Sequence, residues 1–208
     1  NSFTSGISIE FEGEFGPVRS NWERIFDFAA GVGSTANAFW VGQFDAFNEL
    51  AIEVWSNGAQ LGYCHTATNQ TALGTAGDRS LNKWLITIDG TAPHNCRIYK
   101  NGVELATRVS TYATRNFSPS GANLTGSVFS LPPAVSRPSN FLGRSNFVAD
   151  NDFEGSIRYI RLYDQSLTPA QATQNTSSTV TFFPNGGTGT MASQSRTSSG
   201  TLTLNTFA

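Results

Sequence analysis

A strict two-residue alternation near the start of the chain constrains the fold more than any other feature. From Ile7 to Phe15 the sequence reads Ile-Ser-Ile-Glu-Phe-Glu-Gly-Glu-Phe. Period two sends successive side chains to opposite faces of an extended strand. Ile7, Ile9, Phe11 and Phe15 therefore face one way, and Glu10, Glu12 and Glu14 face the other. Nothing downstream breaks this habit with a helical period. Strand-like runs follow at Arg24–Ala29, Ala38–Phe44, Leu50–Trp55, Leu61–His65, Lys83–Gly90, Cys96–Leu105, Asn140–Arg144 and Gly155–Tyr163. Turn residues separate them, including the tight-hairpin pairs Asn57-Gly58 and Asn101-Gly102. Residues 66–80 and 110–139 read as loops, polar and Gly-rich in the first, with four prolines in the second. Short strands at this spacing predict an all-β antiparallel sandwich or jelly roll. A single capped helical turn is expected after them, with Thr168 as N-cap and Pro169 in first position.

Composition narrows the setting. Only 13% of the 208 residues are charged, against about a quarter in a usual globular chain. Ser, Thr, Asn, Gln and Gly make the surface, and Lys83 and Lys100 are the only lysines. A formal charge of -2 offers no basic field for nucleic acid or an anionic membrane. No apolar run approaches the roughly 20 residues of a membrane span. With 12% aromatics, disorder throughout is not expected. These traits predict an extracellular or cell-surface location. The start at Asn1, without Met or a charged leader, reads as that of a processed product. Outside the cell, Cys64 and Cys96 are expected to bridge, and four sequons, at Asn69, Asn116, Asn123 and Asn175, offer glycosylation sites.

Four stretches resemble the laminin-G-like domains of the concanavalin A-like lectin and glucanase superfamily. They are Phe3–Phe11, the Trp22–Gly31 stretch containing Arg24-Ile25-Phe26-Asp27-Phe28, Trp84–Gly90 with Ile98–Gly102, and Asn140–Ala170. The last is the most specific, with Leu142-Gly143-Arg144 followed by Phe153–Tyr163 and Leu167-Thr168. The resemblance implies a concanavalin A-like jelly roll over residues 1–172, a linker at 173–178 and a short β segment at 179–208. That segment has strand-like runs at 179–183 and 201–205. Its Thr179–Met191 stretch resembles the opening of the Listeria–Bacteroides repeat. Such domains usually carry one more strand beside the Gly155–Tyr163 strand. Here that edge is expected to be filled by the C-terminal tail or by another copy of the chain.

The resemblance also implies where chemistry could sit. Calcium suits oxygen ligands clustered in loops. Asp150, Asn151 and Asp152 lie together, Asp27 occupies a position often acidic in the family, and Asn37 follows the glycine-rich turn. Laminarinase-type members set catalytic carboxylates on one strand, a pattern that Glu10 and Glu14 could reproduce. Trp40 and Trp55 alternate away from their aliphatic neighbours, so they are expected on an outer sheet face, stacked on sugars or covered by a loop or partner. No zinc spacing surrounds His65 or His94, which read as loop or edge residues. The expected function is non-catalytic: extracellular adhesion or structural assembly, binding glycans, proteins or the chain's own copies. A laminarinase-like glycoside hydrolase is the alternative.

Overall fold

A computed structural model describes residues 3–16, 22–33, 37–44, 48–66, 73, 80–91, 94–110, 131–168, 170–171, 178–180 and 194–196. The chain divides into two compact units, Asn1–Ser166 and Leu167–Ala208. The first unit contains β1 (Gly6–Phe15), β2 (Arg24–Ala29), β3 (Phe39–Gln43), β4 (Leu50–Ser56), β5 (Ala59–Thr66) and β6 (Asn82–Asp89). It continues with β7 (Cys96–Lys100), β8 (Val103–Leu105), β9 (Thr107–Ser110), β10 (Ser139–Leu142) and β11 (Gly155–Tyr163). A five-stranded sheet runs β11-β1-β6-β7-β8 and a six-stranded sheet runs β10-β2-β3-β4-β5-β9. All named strand pairs are antiparallel. The expected all-β sandwich is therefore the observed architecture.

Alternation explains the interior. Ile7, Ile9 and Phe11 of β1, Ile86 and Ile88 of β6 and Ile98 of β7 join Phe39, Val41, Ile52 and Val54 of the other sheet in one buried cluster. Burying each such side chain contributes about 1.5–3 kcal/mol. Phe11 stacks on Trp84 with ring centroids 6.0 Å apart. Both Asn-Gly hairpins carry positive φ at both central residues, 47° and 82° at Asn57-Gly58 and 51° and 82° at Asn101-Gly102. That is the geometry whose twist matches paired strands. β9 was not foreseen: Thr-Arg-Val-Ser has one apolar residue and becomes a strand by pairing with β5.

β11 is the end strand of its sheet among the described residues. In the second unit, β12 (Ser178–Val180) pairs with β13 (Gln194–Arg196) in a two-stranded sheet of its own. The observed partner of the first tail strand is thus 194–196; residues 201–205 lie outside the described residues. The predicted N-cap is present. Gln171 N donates to Thr168 Oγ1 at 3.3 Å, while Thr168 N donates to Gln171 Oε1 at 2.9 Å, a reciprocal capping box.

Candidate functional site

The outer face of the six-stranded sheet carries a second buried cluster, distinct from the sandwich interior. Register places Asp27, Trp40, Glu53 and Tyr63 side by side across β2, β3, β4 and β5. The next row holds Arg24, Gly42, Ala51 and His65. A bulge between Arg24 and Phe26 re-aims the start of β2. Gly42 makes that approach feasible, because a Cβ there would run into the Glu23 carbonyl and sit 2.9 Å from the Arg24 Cα. Trp40, Phe44, Ala51 and Tyr63 form the apolar floor, with Trp22 packed over them.

Trp22 is half-buried and has φ 61°, a left-handed backbone that a bulky residue adopts only when its surroundings impose it. Its ring meets Trp40 edge-on at 6.1 Å and Phe44 edge-on at 5.1 Å. The Arg24 guanidinium lies 3.7 Å from the Trp40 ring centre and 5.4 Å from that of Trp22. Arg24 NH1 donates to the Trp22 carbonyl at 2.8 Å, which holds the strained turn in place.

Arg24 is also the hub of an acidic network. NH2 donates to Asp150 Oδ2 at 3.0 Å, and Nε lies 3.9 Å from Asp27 Oδ2. Burial lowers the arginine's pKa, opposed by the charges of Asp150, Asp27 and Glu53. Asp27 is fully buried; its Oδ1 accepts from the Asn146 side chain at 2.8 Å and its Oδ2 from the Asn146 backbone at 3.0 Å. Ser145 Oγ donates to Asp150 Oδ2 at 2.7 Å. This network fixes the 143–152 loop to β2.

Glu53 sits beside it. Its Oε2 accepts the Trp40 indole N–H at 2.6 Å, and Gln60 donates to Oε1. Burial pushes the Glu53 pKa up, partly offset by the Trp55 hydrogen bond and the Arg24 charge. One row away His65 Nδ1 pairs with Glu49 Oε2 at 2.7 Å, under the rings of Phe44 and Tyr63. Among the described residues, Arg24 Nε, Glu49 Oε1 and Gln60 Oε1 are buried on this face without a hydrogen-bond partner. The arrangement combines aromatic walls with buried polar atoms. That pairing suits a ligand having both an apolar face and hydroxyl groups.

The structure redistributes the sequence-predicted residues. Trp40 and Trp55 do point to the outer face, but Trp40 is 1% exposed, covered by Trp22, Phe44 and Arg24, so it is not an open stacking platform. Trp55 remains half-exposed. The five calcium candidates do not assemble. Asp27 and Asp150 are already bonded to Asn146, Ser145 and Arg24, whose guanidinium occupies the cation's place. Asn37 Oδ1 instead accepts from the Asn57 backbone, and Asn151 and Asp152 are exposed in sequence after Asp150. Among the described residues no group of three or more His, Cys, Asp or Glu side chains could hold a metal. These residues do not fit calcium.

Cys64 and Cys96 are brought together across the interior, with Cys64 Sγ 3.9 Å from the Cys96 carbonyl oxygen, yet both are free thiols rather than the expected bridge. Burial raises the Cys96 pKa well above the usual thiol value, which keeps it protonated. Asn69, Asn116, Asn123 and Asn175 lie outside the described residues. His65, expected in a loop or at an edge, is buried within β5. Glu10, on the outer face of the other sheet, accepts from Tyr159 at 2.8 Å, from Tyr163 at 2.6 Å and from Arg161 at 3.4 Å. Both its oxygens are engaged; the bulge opposite Glu12/Gly13 skips Arg158 on β11 and leaves Glu14 opposite Ser156. Trp22, Arg24, Glu49 and Glu53 were missed as site residues. The only sequence signal was the Trp-x-Arg spacing of Trp22 and Arg24, which says nothing about a left-handed turn.

No protein-family model matches the chain, and no curated protein sequence does. Solved structures do. The CBM40 domain of the Ruminococcus gnavus IT-sialidase, bound to α2,6-sialyllactose, is 14% identical, with 81% of this chain and 82% of that one covered and a TM-score of 0.51. Another structure of that domain gives 13% identity, the same coverage and a TM-score of 0.50. Domain 4 of a GH43 extracellular arabinanase from Geobacillus stearothermophilus, in complex with arabinotriose, is 19% identical over 82% of this chain and 66% of that one, with a TM-score of 0.47. The likeness is one of fold alone: an all-β, two-sheet, jelly-roll-like sandwich.

Proposed function

We propose that the Asn1–Ser166 unit is a non-catalytic glycan-binding module of an extracellular or cell-surface protein, reading sugars over the outer face of its six-stranded sheet. The observation that carries this reading is Trp22. A half-buried indole held at φ 61° over an aromatic floor, beside buried and unpartnered polar atoms, is built for a purpose other than packing. Strain at a non-glycine residue persists where the surroundings over-determine it, and such positions concentrate at binding sites. The fold neighbour crystallised with α2,6-sialyllactose supports the class of ligand. Adhesion follows from such binding when the module sits on a longer surface protein. The laminarinase-like alternative is less well supported, because Glu10 is locked by two phenols and an arginine instead of facing a sugar.

The test is glycan-array binding followed by affinity electrophoresis of the full chain. Wild type should be retarded by at least one polysaccharide. Trp22→Ala should lose that retardation while Trp22→Phe keeps most of it. Retardation unaffected by Trp22→Ala would remove this face from the function.

A further inference from the structure

We infer that this face selects an uncharged saccharide over a carboxylated one. The inference rests on the glycan-binding reading above and adds the chemical class of the ligand. Its first ground is the state of Arg24. Bidentate recognition of a carboxylate requires two guanidinium N–H groups aimed at the ligand in a fork. Here NH1 is engaged by the Trp22 carbonyl and NH2 by Asp150 Oδ2. Both terminal nitrogens are thus tied to protein partners, and Nε, which has no hydrogen bond, faces Asp27 at 3.9 Å, so no pair of nitrogens is free to turn a fork to a ligand. The second ground is charge. Asp27, Glu49, Glu53 and Asp150 crowd the same face, with Arg24 buried among them; the other described guanidinium of the face, Arg144, lies apart over the Phe141 ring, 4.7 Å from its centre, beside β10. An incoming carboxylate would meet these acids in a site of low dielectric, which is an effective device against the wrong ligand. The third ground is the polarity of the unused atoms. Glu49, 1% exposed, leaves Oε1 without a partner, and Gln60 leaves Oε1 likewise. Two acceptors and one donor ask for a ligand rich in hydroxyl donors. Arg108 stands at the register position beside His65 on β9, so the experiment includes it.

The experiment is calorimetric titration of the full chain with matched oligosaccharide pairs. Suitable pairs are lactose with α2,6-sialyllactose, xylo-oligosaccharide with its glucuronic-acid-bearing counterpart, and galactan with galacturonan fragments. In every pair that binds, the uncharged member is expected to bind at least tenfold tighter. Asp150→Asn releases one arm of Arg24 and should narrow that gap severalfold; an unchanged gap refutes the role given to Arg24. A carboxylated member bound as tightly as its uncharged partner overturns the inference. If that binding is lost in Arg108→Gln or in Arg144→Gln, the reading cation is on β9 or beside β10 instead. No binding across the panel overturns the glycan-binding reading itself.

Discussion

Arg24→Met tests the centre of this architecture. Methionine keeps apolar volume over the Trp40 ring and removes the charge. The variant loses the 3.0 Å bond to Asp150, the 2.8 Å bond to the Trp22 carbonyl and the contact 3.7 Å from the Trp40 ring centre. Asp27 keeps its Asn146 partners, but both carboxylates lose their only described counter-charge. Removing one member of a buried ion pair costs about 3–5 kcal/mol. Asp150 lies nearer the surface, with a side chain 14% exposed, and can turn to water. The expected loss is therefore about 3 kcal/mol, at the lower end of that range. For a domain of this size, that lowers Tm by roughly 6–12 °C. Urea unfolding of wild type, Arg24→Met, Asp150→Asn and the double variant gives the coupling directly. The double variant should be less destabilised than the sum of the singles by about 1–3 kcal/mol. Additive losses, or a single-variant loss below about 1 kcal/mol, would refute the claim that a buried cation organises this face.

Three other outcomes are expected. Burial raises the Glu53 pKa, so folding costs more free energy as pH rises from the ordinary carboxylate range through the raised value, and that cost is absent below it. Glu53→Gln should flatten the stability profile between acidic and neutral pH. Its amide can still accept from Trp40 and can donate to the unpartnered Gln60 Oε1. Urea midpoints measured across that range check this. Oxidation of Cys64 with Cys96 would close a loop spanning 32 positions and stabilise the unit by about 3–4 kcal/mol in the chain-entropy model. Intact mass before and after a mild oxidant, paired with thermal melts, reads it, and Cys96→Ser should abolish the gain. Gly42→Ala drives a methyl into the Glu23 carbonyl and should cost about 1–3 kcal/mol by overpacking. Because the displaced segment carries Arg24, it should also blue-shift or brighten Trp22 and Trp40 fluorescence differently from a remote variant such as Val148→Ala.

The strands were legible because their chemistry is local. β2 and β11 begin and end where alternation and turn residues place them, and β1 starts one residue early, at Gly6. β9 was not, because its four residues become a strand only through the partner that β5 supplies. The outward direction of Trp40 was readable from period two. Its burial was not, since that depends on Trp22 crossing from a left-handed turn and on Arg24 reaching through a bulge. The acidic residues flagged for calcium illustrate the same limit. Composition marks Asp27 and Asp150 as possible ligands, and only the fold shows that an arginine stands between them. Glu49 and His65, sixteen positions apart, meet because β4 and β5 pair in one register.

β3 is buried at all five positions, facing the sandwich interior on one side and the aromatic cluster on the other. An antiparallel strand usually keeps one wet face. For a lineage carrying this domain, the consequence is a division between fixed and variable sequence. Drift in β3 is checked twice, once by each of the two clusters packed against it, and the proposed recognition adds a further constraint on the outer one. Diversification is then expected to enter through the rim, at Trp22, Trp55 and Gln60, where a changed side chain alters what is met without disturbing the strand beneath.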